Sequence, residues 1–294
     1  MKTVPFEQVI LRGCGIDVHK DMVVATISGE GLKTETRSYK TFSSSLTELK
    51  EWLLSSGITH VAMESTGVYW KPVYKILECP DMKVWIVNAR HIKYVPGHKT
   101  DKKDSAWICK LLLAGLLKPS YIPEREQREL RDLTRYRNKL IQHVSSEKNR
   151  IVRILEDCNI KLSSVDGVVA NKLIDMLIDK GHVTMDDITC IYHKKLEASP
   201  ELLYQACEGF IEPHHIYMLQ TIRKDMEQTK AIIADLTCRI KEVLSPYENV
   251  MELLQKIPGL SRKTVEDLIA EIGVDMEAFP TEKHLASWAG VCPG

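Results

Sequence analysis

No apolar run in this 294-residue sequence approaches the roughly 20 residues that a bilayer crossing needs. The most apolar stretch, Trp107 to Leu117, is short and carries Lys110 inside it. The opening residues, Met1-Lys2-Thr3-Val4-Pro5-Phe6-Glu7, lack the apolar centre of a signal peptide. The expectation is a cytoplasmic protein with no membrane partner. Cys-x-x-Cys is also absent, although cysteines stand at 14, 79, 109, 158, 190, 207, 238 and 292. Scattered in this way, they read as reduced, mostly buried thiols and not as a disulfide framework. Cys190-x-x-His193, with Cys207, His214 and His215 beyond it, lacks paired ligand spacings, so structural zinc is not expected. There is no Walker A lysine motif, and Gly13-x-Gly15 meets Val18 where a dinucleotide fingerprint needs its third glycine.

Net charge is missing too, with Lys+Arg 40 against Asp+Glu 40. The total conceals an asymmetry. Residues 1–154 hold 26 basic and 17 acidic side chains, net +9, and residues 155–294 hold 14 and 23, net −9. Either one half meets a polyanion or two ordinary domains differ in isoelectric point. Hydrophobic residues at 44% and charged residues at 27% suit a folded chain of one large domain or two to three modest ones.

The N-terminal third alternates short strand-like and helical runs. Val9 to Val18 and Met22 to Ser28 flank the polar turn His19-Lys20-Asp21, a hairpin signal, and Thr34 to Phe42 reads as a third strand. Ser43-Ser44-Ser45 offers an N-cap to a helix through Leu46, Leu49, Trp52 and Leu53, stopped at Gly57. His60 to Glu64 is a strand, Tyr69 to Leu77 a helix and Lys83 to Val87 a strand. Thr100 can cap a helix running to Gly115. This order fits a mixed sheet with helices on its faces. From Glu124 the pattern changes to long helix, with one seam from Leu130 to Ile154 in which Arg137 and Glu147 fill two positions. A second runs Leu219, Ile222, Met226, Thr229, Ile233, Leu236, Ile240 and Val243, before Pro246 ends it. Two such helices form an antiparallel hairpin or coiled coil, and the second seam is a candidate subunit interface. Leu253 to Thr264, with Pro258-Gly259 between two helical runs, resembles a helix-hairpin-helix, whose turn offers backbone N–H groups to phosphate. Arg262 and Lys263 stand where they add charge.

Four carboxylates stand out by position. Asp17 lies near the end of the first strand and Glu64 ends another, while Asp101 and Asp104 are three apart at the start of a helix. If the two strands are neighbours, these groups converge and need a counter-charge, most naturally two Mg²⁺ or Mn²⁺ ions. Such a pair clamps both oxygens of an in-line phosphoryl displacement. Basic side chains surround them: Arg90, Lys93, Lys99, Lys102, Lys103, Lys110 and Lys118 give residues 88–118 a net +5, and residues 125–153 carry another +5. Basic flanks around a carboxylate cluster suit chemistry on a polyanion.

Gly-Ile-Asp-Val-His-Lys, Met-Glu-Ser-Thr-Gly-Val-Tyr-Trp and Gly-His-Lys-Thr-Asp-Lys-Lys-Asp-Ser resemble the three acidic motifs of the IS one-hundred-ten family of insertion-sequence transposases, relatives of the Piv DNA invertase. Ile-Pro-Gly-Leu-Ser-Arg-Lys-Thr and Trp-Ala-Gly-Val-Cys-Pro-Gly resemble that family's C-terminal block. The resemblance implies an α/β RNase H-like (RuvC-like) domain over residues 1–123, whose DEDD tetrad is Asp17, Glu64, Asp101 and Asp104. It implies a coiled-coil region over 124–248 and the start of a C-terminal transposase domain over 249–294. It further implies DNA excision and insertion by a homo-oligomer, dimer or tetramer, guided by a structured RNA from the element. The family's nucleophilic serine is expected shortly after the Pro-Gly. Ser261 and Ser287 precede Pro293-Gly294, so the expectation is a chain without that serine. Two other classes stand beside this one. A catalytically silent nucleic-acid-binding protein differs in lacking metal-dependent cleavage. A kinase-like ATPase of the same superfold needs small residues where Val18-His19-Lys20 stand.

Overall fold

The computed structural model describes residues 9–65, 67–88, 104–162, 167–193, 196 and 198–291. The chain divides into two compact units, residues 1–122 and 123–294.

The first unit is built on a five-stranded mixed sheet. Strands β1 (Arg12–Val18), β2 (Met22–Gly29) and β3 (Leu32–Lys40) form an antiparallel meander, and β4 (His60–Glu64) and β5 (Lys83–Val87) continue it in parallel to β1. The order across the sheet is β3-β2-β1-β4-β5. Parallel neighbours need a crossover, and α1 (Ser43–Ser55) and α2 (Trp70–Leu77) supply the two. Helix α1 buries Leu46, Leu49, Trp52 and Leu53 on one side, each contributing about 1.5–3 kcal/mol of apolar burial. The serine run does not cap α1. Phe42 occupies that position and its carbonyl accepts from Leu46 N, so the helix begins one residue earlier than a serine cap requires.

Strand parity sorts the side chains into two layers. Cys14 and Ile16 of β1 and Val61 and Met63 of β4 pack with α1 and α2. Their alternates, with Ala62, Trp85 and Val87, face α3 (Asp104–Leu113), which contributes Ile108, Leu111 and Leu112.

In the second unit, α4 (Arg125–Asp157) and α8 (Pro213–Leu244) are long helices, the 33 residues of α4 reaching about 50 Å. They run antiparallel, since His143 meets Asp225 at 2.7 Å and His215 meets Asp157 at 3.3 Å. Leu219, Ile222 and Met226 of the second seam are buried inside the chain, in one core with Val144, Ile151 and Leu155. That part of the seam is therefore spent on intrachain packing. The intervening α5 (Gly167–Lys180), α6 (Met185–Ile191) and α7 (Pro200–Cys207) complete the core with Leu173, Leu177, Ile188 and Leu203. Thr184 and Ser199 cap α6 and α7 through side-chain oxygens.

Past a 3₁₀ turn at Ser245–Tyr247, which contains Pro246, lie α9 (Glu248–Gln255), α10 (Arg262–Ile272) and α11 (Glu282–Trp288). The turn between α9 and α10 uses Gly259 at φ +89°, a left-handed conformation that favours glycine. Ser261 then caps α10, its Oγ accepting from Thr264 N at 3.2 Å. Met251, Val265 and Ile269 pack with Leu130, Ile240 and Leu244, so these helices share a core with the starts and ends of the long pair. Arg137, which occupies a seam position by sequence, is 2% exposed and ion-paired to Glu266 at 3% exposure and to Asp267. A polar residue interrupts that seam because its partner comes from α10.

Candidate carboxylate site

The site begins with two small residues in β1. A Cβ on Gly15 would lie 2.1 Å from Ser105 O and 2.2 Å from Cys109 N, so only glycine lets α3 rest directly on the strand. Gly13 lies beneath Leu112 and Leu113 of the same helix, and Cys109 Sγ donates to Gly13 O at 3.4 Å. The first turn of α3 is held by hydroxyls. Thr26 Oγ1, opposite Gly15 on β2, is 2.8 Å from Ser105 Oγ, and both residues are buried. The residue before Ser105 is Asp104, whose charge reaches Asp17 near the end of β1.

Asp17 and Glu64 reach the same place. Strands β1 and β4 are parallel and pair Ile16 with Met63, so Asp17 and Glu64 are the next residues along neighbouring strands, on the face that α3 covers. Burial raises the Asp17 carboxyl above its ordinary range. His19, whose Nε2 is 2.8 Å from Asp17 Oδ2, opposes that rise, and the negative charges of Asp104 and Glu64 add to it. Asp17 therefore senses two of the other expected carboxylates. Asp101, with Arg90, Lys93, Lys99, Lys102 and Lys103, lies outside the described residues, as does the expected cap Thr100.

Among the described residues, no group of three or more His, Cys, Asp or Glu is gathered closely enough to hold a metal ion, and this includes the cysteines and histidines of 190–215. The donor chemistry at Asp17, Glu64 and Asp104 nonetheless suits a divalent ion, because carboxylate oxygens are hard ligands and a cation would relieve the raised proton affinity of Asp17. The thiols offer no such chemistry. Burial pushes Cys109 and Cys207 up to about 11, which keeps both protonated.

His19 belongs to the first acidic motif, but the motif by itself gives it no role. The signal for one is the i, i+2 spacing from Asp17 across a hairpin turn, closed by His19 N donating to Met22 O at 2.9 Å. Arg262 and Lys263 are engaged within the chain. Arg262 contacts the Glu248 carboxylate at 2.7 and 2.9 Å, and Lys263 donates to Asp267 at 2.9 Å. A cavity of about 940 Å³, lined by Leu11, Arg12, Glu30, Gly57, Thr59 and His60, sits at the other end of β1 from Asp17. Among the described residues, no helix is long and apolar enough to cross a membrane.

A mixed sheet in this order, with acidic residues at the ends of its central strands and on the helix laid across them, is consistent with an RNase H-like domain that acts on nucleic acid. Residues 14–160 match a family model of DEDD transposases of the IS110 type, and residues 251–294 match the transposase family IS116/IS110/IS902. The chain belongs to the IS110 family of transposases, enzymes that recombine DNA. DNA is thus a partner, and the DEDD family suggests dependence on a divalent metal. No curated protein matches the chain.

Proposed function

We propose that Asp17, Glu64 and Asp104, completed by Asp101, are the catalytic carboxylates of this transposase and hold two Mg²⁺ or Mn²⁺ ions. The observation that carries this reading is the placement of Asp17 and Glu64 on adjacent strand ends beneath the start of α3. When bound, the ions stabilise charge on the attacking and leaving oxygens of a phosphodiester. His19 orients the Asp17 carboxylate and lends it partial counter-charge when the ions are away. Arg90, Lys93, Lys99, Lys102 and Lys103 serve as phosphate contacts in this reading. Within the second unit, Arg262 and Lys263 contact phosphate separately, exchanging Glu248 and Asp267 for it at a helix-hairpin-helix turn.

The proposal extends to a structured guide RNA from the element, a coiled coil formed by α4 and α8, a dimeric or tetrameric assembly and a cytoplasmic setting. Ser261 is not the covalent nucleophile in this reading, since its Oγ is used to cap α10. The expected activity of the carboxylate site is metal-dependent nicking. Incubation of the protein with supercoiled plasmid in Mg²⁺ or Mn²⁺ tests this. Nicking should fall more than about 100-fold in Asp17→Asn, Glu64→Gln and Asp104→Asn, beyond the usual effect of losing a supporting partner of a metal site. Wild-type nicking by Asp17→Asn would overturn the assignment, and a covalent protein–DNA adduct mapped to Ser261 would overturn the reading of that serine.

A further inference from the structure

The face of the sheet that carries Asp17 and Glu64 extends past α3 onto β2 and β3. Thr36 Oγ1 lies 2.8 Å from Thr26 Oγ1, which in turn bonds Ser105 of α3, so the Thr36 side of β3 is the carboxylate side. Along that side β3 presents Thr34, Thr36, Ser38 and Lys40, all exposed. The alternate residues turn the other way: Arg37 and Tyr39 pack against Trp52 of α1.

The two sides of β3 differ in kind. Edge strands usually protect themselves with long charged side chains. Lys33, Glu35 and Arg37 do so on the α1 side. On the carboxylate side the row is short, hydroxylated and charged only at Lys40. Cross-strand threonine pairs stabilise a sheet, but they do not use all the hydrogen-bonding capacity here. Thr26, Thr36 and Ser105 have three O–H groups and make two bonds among themselves. Ser28 and Thr34 have two O–H groups and make one bond, at 2.9 Å. Each group keeps one donor beyond those bonds.

The row is also close to the chemistry. Asp17 pairs with Val24 and Val24 with Ser38, which puts Ser38 two strands away, roughly 10 Å across the sheet. Thr41 donates to Lys20 O at 3.0 Å, so the turn that follows Asp17 and the end of β3 beside Lys40 lie together.

We infer that Thr34, Thr36, Ser38 and Lys40 seat the sugar–phosphate backbone of the DNA strand that leads away from the carboxylates. The hydroxyls donate to phosphate oxygens and Lys40 pairs with one phosphate. Such contacts set register and carry no base information. These are positioning residues, and the inference rests on the carboxylates being the catalytic site.

The test uses the whole chain and a fluorescein-labelled duplex of random sequence, with anisotropy measured in Ca²⁺. Thr34→Val, Thr36→Val and Ser38→Ala together remove the hydroxyls and keep strand-compatible shapes. The triple variant should weaken duplex binding about 10-fold, a loss of about 1.4 kcal/mol. In plasmid nicking its loss should fall on KM more than on kcat, and Thr34→Ser with Thr36→Ser should bind as wild type. Lys40→Ala should reduce the log–log salt slope by about 0.9. A photo-crosslinking residue at position 36 should attach to the DNA. Wild-type affinity in the triple valine–alanine variant, or crosslinks from position 36 only to another copy of the protein, would overturn the inference. Asp17→Asn separates the two readings. If it nicks normally the carboxylate assignment fails, and if it is inactive while the triple variant behaves as wild type, only the hydroxyl row fails.

Discussion

Carboxylates in the two units sit in opposite electrostatic settings. In the first, Asp17 is flanked by Glu64 and Asp104, and burial plus their charge raise its proton affinity against the pull of His19. In the second, arginine and lysine close on the carboxylates of α10. Arg135 holds Glu271 through two bonds of 2.7 Å and, against the effect of burial, lowers its carboxyl below the ordinary range. Burial works to raise Asp267 as well, but Lys263, Asn138 and Arg137 outweigh it. The second arrangement satisfies its own charge and stabilises the fold. The first leaves Asp17 with raised proton affinity even beside His19, a setting that the proposed metal ions would relieve.

The comparison breaks most visibly at Arg137. Replacing it with Leu leaves Glu266 buried without its main partner and should cost about 3–5 kcal/mol, read from urea unfolding. Arg137→Met combined with Glu266→Leu should recover most of that loss, because two apolar groups need no pairing. A double variant as unstable as the single one would mean that packing, not charge, dominates there.

Next in size is Gly15→Ala. The added methyl meets α3 backbone that cannot move aside like a flexible side chain, so a loss of about 3 kcal/mol is expected, the upper end for overpacking. Nicking should disappear along with it as Asp104 is displaced. Full activity and stability in this variant would show that α3 does not rest on β1 in solution.

The smallest effects are the most diagnostic, because their signs are opposite. Asp17 is raised in the fold, so its contribution is favourable only at low pH and is lost as pH climbs through its folded value. In EDTA, Asp17→Asn should therefore melt higher than wild type at neutral pH, with the gap closing as pH falls below the ordinary carboxylate range. Glu271 is lowered, so its contribution is present at neutral pH and lost on acidification. Glu271→Gln should melt lower at neutral pH, by about 1 kcal/mol, and the gap should again close in acid. Parallel signs from scanning calorimetry across pH would refute the contrast between the units.

Local pattern makes much of the architecture legible in the sequence. The strands at His60–Glu64 and Lys83–Val87 are readable as short apolar runs, the hairpin across His19-Lys20-Asp21 from the polar turn between two such runs, and the long helices from heptad spacing. The variable stretch before α8 is not. Its helices α5 to α7 are short, and Leu173, Ile188 and Leu203 become core only where α4 and α8 provide a surface.

By itself the sequence determined the kinds of element, the charge asymmetry and the acidic motifs, including Asp17 and Glu64 at strand ends. These depend on neighbours within a few residues, which is the range over which chain geometry acts. Only the tertiary structure decided which carboxylates lie near like charge and which are clasped by cations. Arg137 and Glu266 are 129 residues apart and Thr26 and Ser105 are 79 apart, yet each pair is in direct contact. The shared face of Asp17, Glu64 and Asp104 likewise depends on strand order and on a glycine that admits α3, because electrostatic and packing energies follow distance in space and not separation along the chain.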